Sequence, residues 1–595
     1  MARRSSATRS RCAIPWLLSL CIALLLPSRA SAASVSSYTF FQGTQYPLTV
    51  VRIRGEAPGP TIMVQGGIQG DEICGAVTAQ LLTGSRVLKG NLIVVPRANL
   101  PSIHLQQRQV NVDMNRRFDR DYNRFYEDRV ARVIRHLLAE CDGFIHLHEG
   151  SGFYSPRHVN ALRNPNRYGQ SIIVDAESHA GVDLGGLVRG VLAELNPTVN
   201  PAEYRLEIFD TRTFDPDTRY PEMRKSLTYY ALSVLHIPAV AVEVSKNIRD
   251  IGWKVRTQMA AARLLLAHLG VETAPTDFDE ADVLAAAQVA TGVRVNGSPL
   301  VSGAHIRLAR GATITAESGV GTGRSYSPAL AVFASDRPGV NLLNTPRLAL
   351  ESFTGLEVRA DGKPVAQVRV DWEAGRPAVS ESDGPVFVCW LNGRLVYVKN
   401  GETLRAVAGD QLVIEGIRGG NRREVLNLKG YTSSPWENDG QDLGVEIILD
   451  PDNFMDKYRQ RSDAPGVVRY PVVRETPGAA RASFNLDIEP RRVEALLLRD
   501  HFGREVEVPF SAGSEYRLPE GEYELLSART NGEPGKLMAT AGGAPVSEGQ
   551  KLLVGGAPVD ITLRQATTFQ EMGTLTLAPG RWAELAPIGT TSVVP

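Results

Sequence analysis

Short apolar runs alternate with amphipathic stretches through the first half of the chain, and β-branched runs broken by turns fill the second. Thr61-Ile62-Met63-Val64, Asn91-Leu92-Ile93-Val94-Val95, Gly143-Phe144-Ile145-His146-Leu147-His148 and Ala239-Val240-Ala241-Val242-Glu243-Val244 read as four buried strands. Pro58-Gly59-Pro60 sets off the first of them. Between the strands, Val130, Val133, Ile134, Leu137, Leu138 and Cys141 recur at helical spacing, with Arg129, Arg132, Arg135 and Glu140 on the opposite face. Further helical patterns run over 73–82 and near 184–195, 223–235 and 255–269. Strands alternating with helices over about 36–270 predict an α/β domain, with a mainly parallel sheet covered on both faces. Ligands in such sheets sit beyond the carboxyl ends of the strands.

After about Thr273 the texture changes. Asn296-Gly297, Asp361-Gly362, Asn392-Gly393 and Asn531-Gly532 are hairpin signals between β-branched and aromatic flanks. Small all-β domains are predicted, of barrel or immunoglobulin-like type. The expected division is a catalytic-type domain at 36–272, a β-barrel at 280–372, an immunoglobulin-like domain at 375–455 and a further β domain at 466–595. The stretch 450–475, rich in charge and proline, reads as a linker between the last two.

The length of 595 residues agrees with three or four domains. The first residues are a different matter. Arg3, Arg4, Arg9 and Arg11 precede an apolar run from Ala13 to Leu26, and Ala30-Ser31-Ala32 offers a small-residue cleavage site. Residues 1–32 thus read as a secretory signal, too short in its apolar core to span a bilayer. The mature protein is expected to be exported, periplasmic and soluble, with no integral membrane segment. Cleavage would remove five arginines and no acids, turning 65 basic against 65 acidic residues into a balance of about −5. No basic stripe with interleaved aromatics is present, so a nucleic-acid partner is not expected. Cys74, Cys141 and Cys389 would remain, an odd number without CxxC spacing. They read as buried small hydrophobes, with a Cys74–Cys141 bridge as the one pairing considered.

Candidate chemistry gathers at the predicted strand ends. Gln65-Gly66-Gly67-Ile68-Gln69-Gly70-Asp71-Glu72 is a strand-to-helix turn. Gln69 and Glu72, three apart, can aim two oxygens at one point as metal ligands must be aimed, although the pair alone equally describes a solvated helix start. His146 and His148 share one strand face, and His148 opens onto the ligand edge. Buried histidines need partners, whether structural or functional. Asn115 and Arg116 can grip a carboxylate through an amide and a guanidinium fork, and Arg108 can polarise a neighbouring carbonyl. Glu243 stands in an apolar strand, where burial would raise its pKa toward that of a general base; a buried ion pair is the structural alternative.

Together these pieces resemble the zinc carboxypeptidase superfamily, whose order is a Gly-Gly-x-His-Gly-x-Glu turn, an Asp-x-Asn-Arg loop, a strand-end His and a later strand-borne Glu. They appear here as Gly66-Gly67-Ile68-Gln69-Gly70-Asp71-Glu72, Asp113-Met114-Asn115-Arg116, His148 and Glu243. The departure is Gln69, where most of the superfamily has histidine. With His148-Glu149-Gly150-Ser151-Gly152-Phe153-Tyr154 and Asn166-Arg167-Tyr168-Gly169-Gln170-Ser171, that glutamine is similar to the cell-shape D,L-carboxypeptidases of curved and helical bacteria. The resemblance is specific over about 38–272 and looser beyond. It implies that Gln69, Glu72 and His148 hold zinc, with His146 behind them. It implies too that Glu243 is the general base, that Asn115 and Arg116 bind the terminal carboxylate, and that Arg108 stabilises the oxyanion. The implied substrate is a peptidoglycan tripeptide trimmed to a dipeptide, with cell-wall protein partners for the β domains.

Two other readings stand beside this one. The missing first histidine suggests a metal-free wall-binding protein on a decayed fold, against which the joint presence of Glu72, His148, Arg116 and Glu243 argues. A deacylase of small acylated amino acids is the second, against which export and the β-rich half argue.

Overall fold

A computed structural model describes residues 33–581 apart from 276–291, 319–325, 336, 344, 349–352, 374–383, 419–423, 435–439, 543 and 547. The expected export signal and the boundaries near 280 and 375 lie outside the described residues. Nine strands form one mixed sheet: β1 (Ser34–Phe40), β2 (Leu48–Arg54), β3 (Ala57–Gln65), β4 (Val87–Val95), β5 (Gly143–Gly150), β6 (Ser171–Val174), β7 (Glu207–Asp210), β8 (Ala239–Ser245) and β9 (Glu272–Thr273). Their order is β1-β2-β4-β3-β5-β8-β6-β7, with β9 on β4. The four strands expected from apolar runs are the central ones, and they pair in parallel as β4-β3-β5-β8. Being covered on both faces, they read as continuous apolar runs. β6 runs antiparallel to β8 and is too short to announce itself in the sequence.

Helices α1 (Ile73–Leu82), α4 (Leu184–Leu195) and α6 (Ile251–His268) bury their apolar residues on one face of the sheet. Helices α3 (Tyr126–Leu138) and α5 (Leu227–Ser233) cover the other, with the short α2 (Leu100–Leu105) beside the site. The helical pattern expected over 223–235 resolves into a 3-10 turn, Pro221–Lys225, followed by α5, because Ser226 caps a new start by accepting from Tyr229 N. Helix α3 buries the apolar positions that the periodicity marks, and it buries Glu127 and Asp128 as well. Asp128 accepts from Arg117 Nε at 2.6 Å and from the Arg124 and Phe125 backbone, while Glu127 accepts from Asn111. These bonds pin both ends of the loop that carries Asn115 and Arg116.

Three β units follow the α/β domain as the chain's second, third and last units, the second built of three sheets and the other two of two each, with cores of their own around Val332 and Val358, Phe387 and Tyr470, and Leu498 and Leu563. Asn296-Gly297, Asp361-Gly362 and Asn392-Gly393 each turn a hairpin with both residues at positive φ. Asn531-Gly532 does not. Its neighbouring strand Gly521–Thr530 pairs instead with Val493–Asp500 and Lys551–Val554, and the Asn531 side chain accepts from Arg492 N. The expected linker over 450–475 and the domain limits at 455 and 466 also differ from the structure. Val468–Arg474 is a strand between Ser483–Glu489 and Leu426–Leu428, so the third unit continues to Glu489. Val468, Tyr470 and Val472 point inward between charged and proline positions that conceal the alternation. Cys74, Cys141 and Cys389 are all free and buried, so no Cys74–Cys141 bridge forms.

The β units pack directly on the α/β domain. Arg97 donates to Asp361, Tyr326 and Ser327 of the second unit, and Gln45 N donates to Glu446 of the third at 2.8 Å. Phe569 of the last unit belongs to the α/β core, 5.3 Å from Phe40 and 5.2 Å from His136 between ring centroids. Phe569→Ala is expected to destabilise the α/β domain by about 3–5 kcal/mol, the usual cost of emptying a phenyl site. Thermal unfolding followed through the α/β domain checks this, and an unchanged midpoint would show that the last unit is merely adjacent.

Candidate active site

Beyond Gln65 the chain must turn sharply to enter α1. Gly67 does so at φ +64°, and a side chain at Gly70 would stand 1.9 Å from the Ser102 carbonyl. The turn delivers Gln69 and Glu72 to the carboxyl ends of β3 and β5, both almost fully buried. Glu72 occupies the N-cap position of α1 yet makes no side-chain cap bond, so its carboxylate is left for the cleft. His148 Nδ1 lies 2.8 Å from Glu72 Oε2, which also accepts from Glu149 N. Lys246 Nζ is 3.3 Å and Arg108 Nη1 3.9 Å from Glu72 Oε1. Burial pushes the Glu72 pKa upward, but the bond and charge of His148, with Lys246, hold it below the ordinary value. Burial likewise pulls His148 down, and Glu72 and Glu243 more than offset it.

His146 differs from its neighbour. Its ring sits 4.0 Å from that of His148, its Nε2 meets Gln65 Nε2 at 3.3 Å, and its Nδ1 has no hydrogen-bond partner among the described residues. Burial, then the nearby His148 charge, pushes its pKa well down, so it is a neutral ring. Glu243 faces His148 across the parallel β5-β8 pair. It is half-buried, yet its Oε2 is shielded from solvent and has no hydrogen-bond partner among the described residues. Burial lifts it to about 8 against the pull of the His148 charge.

Asp113 ties the remaining groups together. Its Oδ1 accepts from Gln69 Nε2 at 3.3 Å and from Asn115 N at 3.0 Å, and its Oδ2 accepts from Arg108 at 2.9 Å. Asn115 Oδ1 is taken by Leu227 N, which leaves its NH2 group for the cleft. Arg116 donates to Asn115 O at 2.7 Å and meets no carboxylate in a salt bridge among the described residues. Burial pulls its pKa down, as expected of a guanidinium whose fork has no anion. All seven residues singled out from the sequence therefore stand together. Gln69, Glu72, Arg108, Asn115, Arg116, His148 and Glu243 line one cleft of about 280 Å³.

Sequence reasoning had given no role to Asp113, Lys246 or the braces behind the strands. Asp113 caps a one-turn helix, Met114–Arg116, and Asp-x-Asn is itself a cap signal. Lys246 Nζ bonds Asp71 at 2.6 Å, a contact between residues 175 apart that no local pattern reveals. Behind the cleft, Lys254 and Glu149 form a buried pair at 2.6 Å, Glu149 also accepts from Cys74 N, and Gln258 donates to His148 O and Val242 O.

Among the described residues no cluster of three His, Cys, Asp or Glu is placed to hold a metal ion. The donors that do converge are a carboxylate, an imidazole and a carboxamide. Asp113 takes the NH2 end of Gln69, which leaves the carboxamide oxygen as an acceptor, and His148 Nδ1 and Glu72 Oε2 already meet at 2.8 Å. That donor set suits a borderline divalent ion.

Residues 34–284 match the family model described as carboxypeptidase controlling helical cell shape, catalytic. Among solved structures, the chain is similar to the tripeptide-bound cell shape determinant Csd4 from Helicobacter pylori, at 20% identity and a TM-score of 0.42, over 74% of this chain and 100% of that one. The mDAP-bound form of Helicobacter pylori Csd4, a D,L-carboxypeptidase, gives 22% identity and a TM-score of 0.41, over 72% and 96%. The product-bound ectoine utilization protein EutE (DoeB) from Ruegeria pomeroyi gives 16% and 0.31, over 57% and 96%. No curated protein matches the chain.

Lys254→Met should leave the Glu149 charge buried and unpaired, at about 3–5 kcal/mol of stability. Adding Glu149→Gln should recover most of that loss in thermal unfolding. A single variant as stable as the wild type would show that the pair does not brace the site.

Proposed function

We propose, with residues 34–284 a domain of the family of carboxypeptidases controlling helical cell shape, that this chain is a periplasmic zinc D,L-carboxypeptidase. It removes the terminal diamino acid from peptidoglycan tripeptides, leaves dipeptides, and so affects cell shape. The observation that carries this reading is one cleft in which Glu72 and His148 converge and in which, among the described residues, Glu243 Oε2 has no hydrogen-bond partner and Arg116 no salt-bridged carboxylate. Export would follow from the signal at 1–32. Among the described residues no helix is long and apolar enough to cross a membrane.

Gln69, Glu72 and His148 would hold zinc, which when bound supplies a Lewis acid and lowers the pKa of water. Arg116 and the Asn115 NH2 grip the terminal carboxylate, so cleavage falls one residue from the end. Glu243 takes the proton of the attacking water at Oε2 and returns it to the leaving amine. A carboxylate raised by burial is a stronger base than an exposed one and suits both transfers. Arg108, steadied by Asp113, faces the charge that develops on the carbonyl oxygen. A free carboxylate next to the cut is thus required, and an internal bond is not accepted.

Purified mature protein is expected to release the diamino acid from muramyl tripeptide and to leave tetra- and pentapeptides intact, read by mass spectrometry. Release of D-alanine from pentapeptide with tripeptide untouched would overturn the assignment. Glu243→Gln should keep its zinc and fold but lose roughly 10²–10⁴-fold in rate. Full activity in that variant would mean that another group is the base. Gln69→Ala should lose zinc while its far-UV spectrum stays native, and Gln69→His should regain it, since imidazole is the commoner donor. Metal analysis of these proteins decides the ligand set, and a wild type that takes up no zinc removes it.

A further inference from the structure

One buried acid near the cleft has no part in the chemistry above. In the β8-β6 pair, Glu243 lies opposite Ser171 and Ala241 opposite Ile173. Side chains two apart on a strand share a face, so Ile173 looks the same way as Ala241, and both line the cleft. Asp175, two residues further, continues that row toward the floor. It is 1% exposed; its Oδ1 accepts from Thr213 Oγ1 at 2.7 Å, and its Oδ2 has no hydrogen-bond partner among the described residues. Burial lifts its pKa to about 6, restrained by the hydroxyls of Thr213 and of Thr228, itself a cleft residue, and by the charge of Arg116. At neutral pH it is therefore mostly ionised. A buried carboxylate oxygen without a donor is costly unless something arrives to satisfy it.

Arg116 lines the cleft and offers a cation there. Asp175 lies one strand step behind the cleft residue Ile173, beside the hydroxyl of Thr228, and offers an anion within range of the Arg116 charge. Ile173, Met223 and Thr228 give the cleft an apolar wall with one hydroxyl. An extended side chain of four or five carbons reaches about 6–7 Å, which is one strand step of two residues and matches the step from Ile173, a cleft residue, to Asp175.

We infer that Asp175 forms the floor of the leaving-residue subsite and binds the distal ammonium of a diamino acid. The inference rests on the carboxypeptidase reading for which end of the substrate enters, and on the cleft alone for what is bound there. Asp175 then sets specificity by charge. A neutral residue of equal length leaves the carboxylate unpaired, and an acidic one repels it.

The test compares lysine, diaminopimelate and norleucine, both as free amino acids in titration calorimetry and as the last residue of otherwise identical peptides. Wild-type protein should bind the two diamino acids roughly ten- to a hundredfold more tightly than norleucine, the usual range for a hydrogen bond to a charged group. Asp175→Asn should erase that preference by weakening the two diamino acids without weakening norleucine. A wild type that binds norleucine as well as lysine overturns the inference whatever the variant does. So does an Asn variant that keeps the preference, or one that loses norleucine binding in equal measure. Preference in binding without turnover would sink the peptidase reading and keep the subsite; turnover without preference would do the reverse.

Discussion

A carboxylate and an imidazole held 2.8 Å apart below the surface set the terms for the rest of the α/β domain. Glu72 and His148 come from different strands' ends and face each other across β3 and β5, so both strands must end at the same level. That requirement explains the braces behind them. Gln258 fixes the His148 and Val242 carbonyls of β5 and β8, and the Glu149–Lys254 pair anchors the residue after His148 to α6 and, through Cys74 N, to α1. A charged pair inside an apolar wall is a poor source of stability in itself. Its use here is positional, because it holds an exposed edge of the sheet against the pull of the charges in the cleft.

The central sheet was legible because buried parallel strands leave an uninterrupted apolar record, and helix α3 because its period is clean. The candidate site was legible for a different reason. Gln69, Glu72, His148 and Glu243 sit near strand ends or on a Gly-rich turn, where a polar residue stands out against its neighbours, whereas Arg108, Asn115 and Arg116 lie in a polar loop marked only by its Asp-x-Asn-Arg spacing. What could not be read is whatever depends on contact between distant segments. Asp113 looks like an ordinary cap, and only the fold brings Gln69 and Arg108 onto its two oxygens. Lys246 looks like a solvated strand end until Asp71 and Glu72 are placed beside it. The strand Val468–Arg474 escaped because Arg469 and Pro471 occupy its outer positions, and composition alone then resembles a linker.

The described residues that line the cleft all belong to the α/β domain, and the β units bear on it through the loops behind. Arg97, just beyond β4, is fastened to Asp361 and Tyr326 of the second unit, and Arg359 of that unit donates to His104 O in α2. Helix α2 in turn presents Ser102, whose hydroxyl accepts from Gly70 N in the turn that carries Gln69. At the other side, Asn453 and Asp450 of the third unit meet Asn123, ahead of α3, which pins the Asn115–Arg116 loop. Both loops of the cleft are thus backed by a β unit, and a module hanging from a flexible tether would not do this.

The substitution of an amide for an imidazole at position 69 changes more than one donor. An imidazole would offer a ring nitrogen and could direct its other nitrogen to many acceptors. A carboxamide has one oxygen and one NH2 group, so committing the NH2 to Asp113 leaves only the oxygen free to accept. The same Asp113 holds Arg108 and the backbone of Asn115, so the proposed metal ligand, oxyanion donor and carboxylate grip share one anchor. Burial would raise the pKa of an isolated Asp113, but the charges of Arg108 and Arg116 hold it below the ordinary value, and its carboxylate holds Arg108 in place. A residue that reads as a turn former is therefore the joint through which ligand and substrate groups move together or not at all.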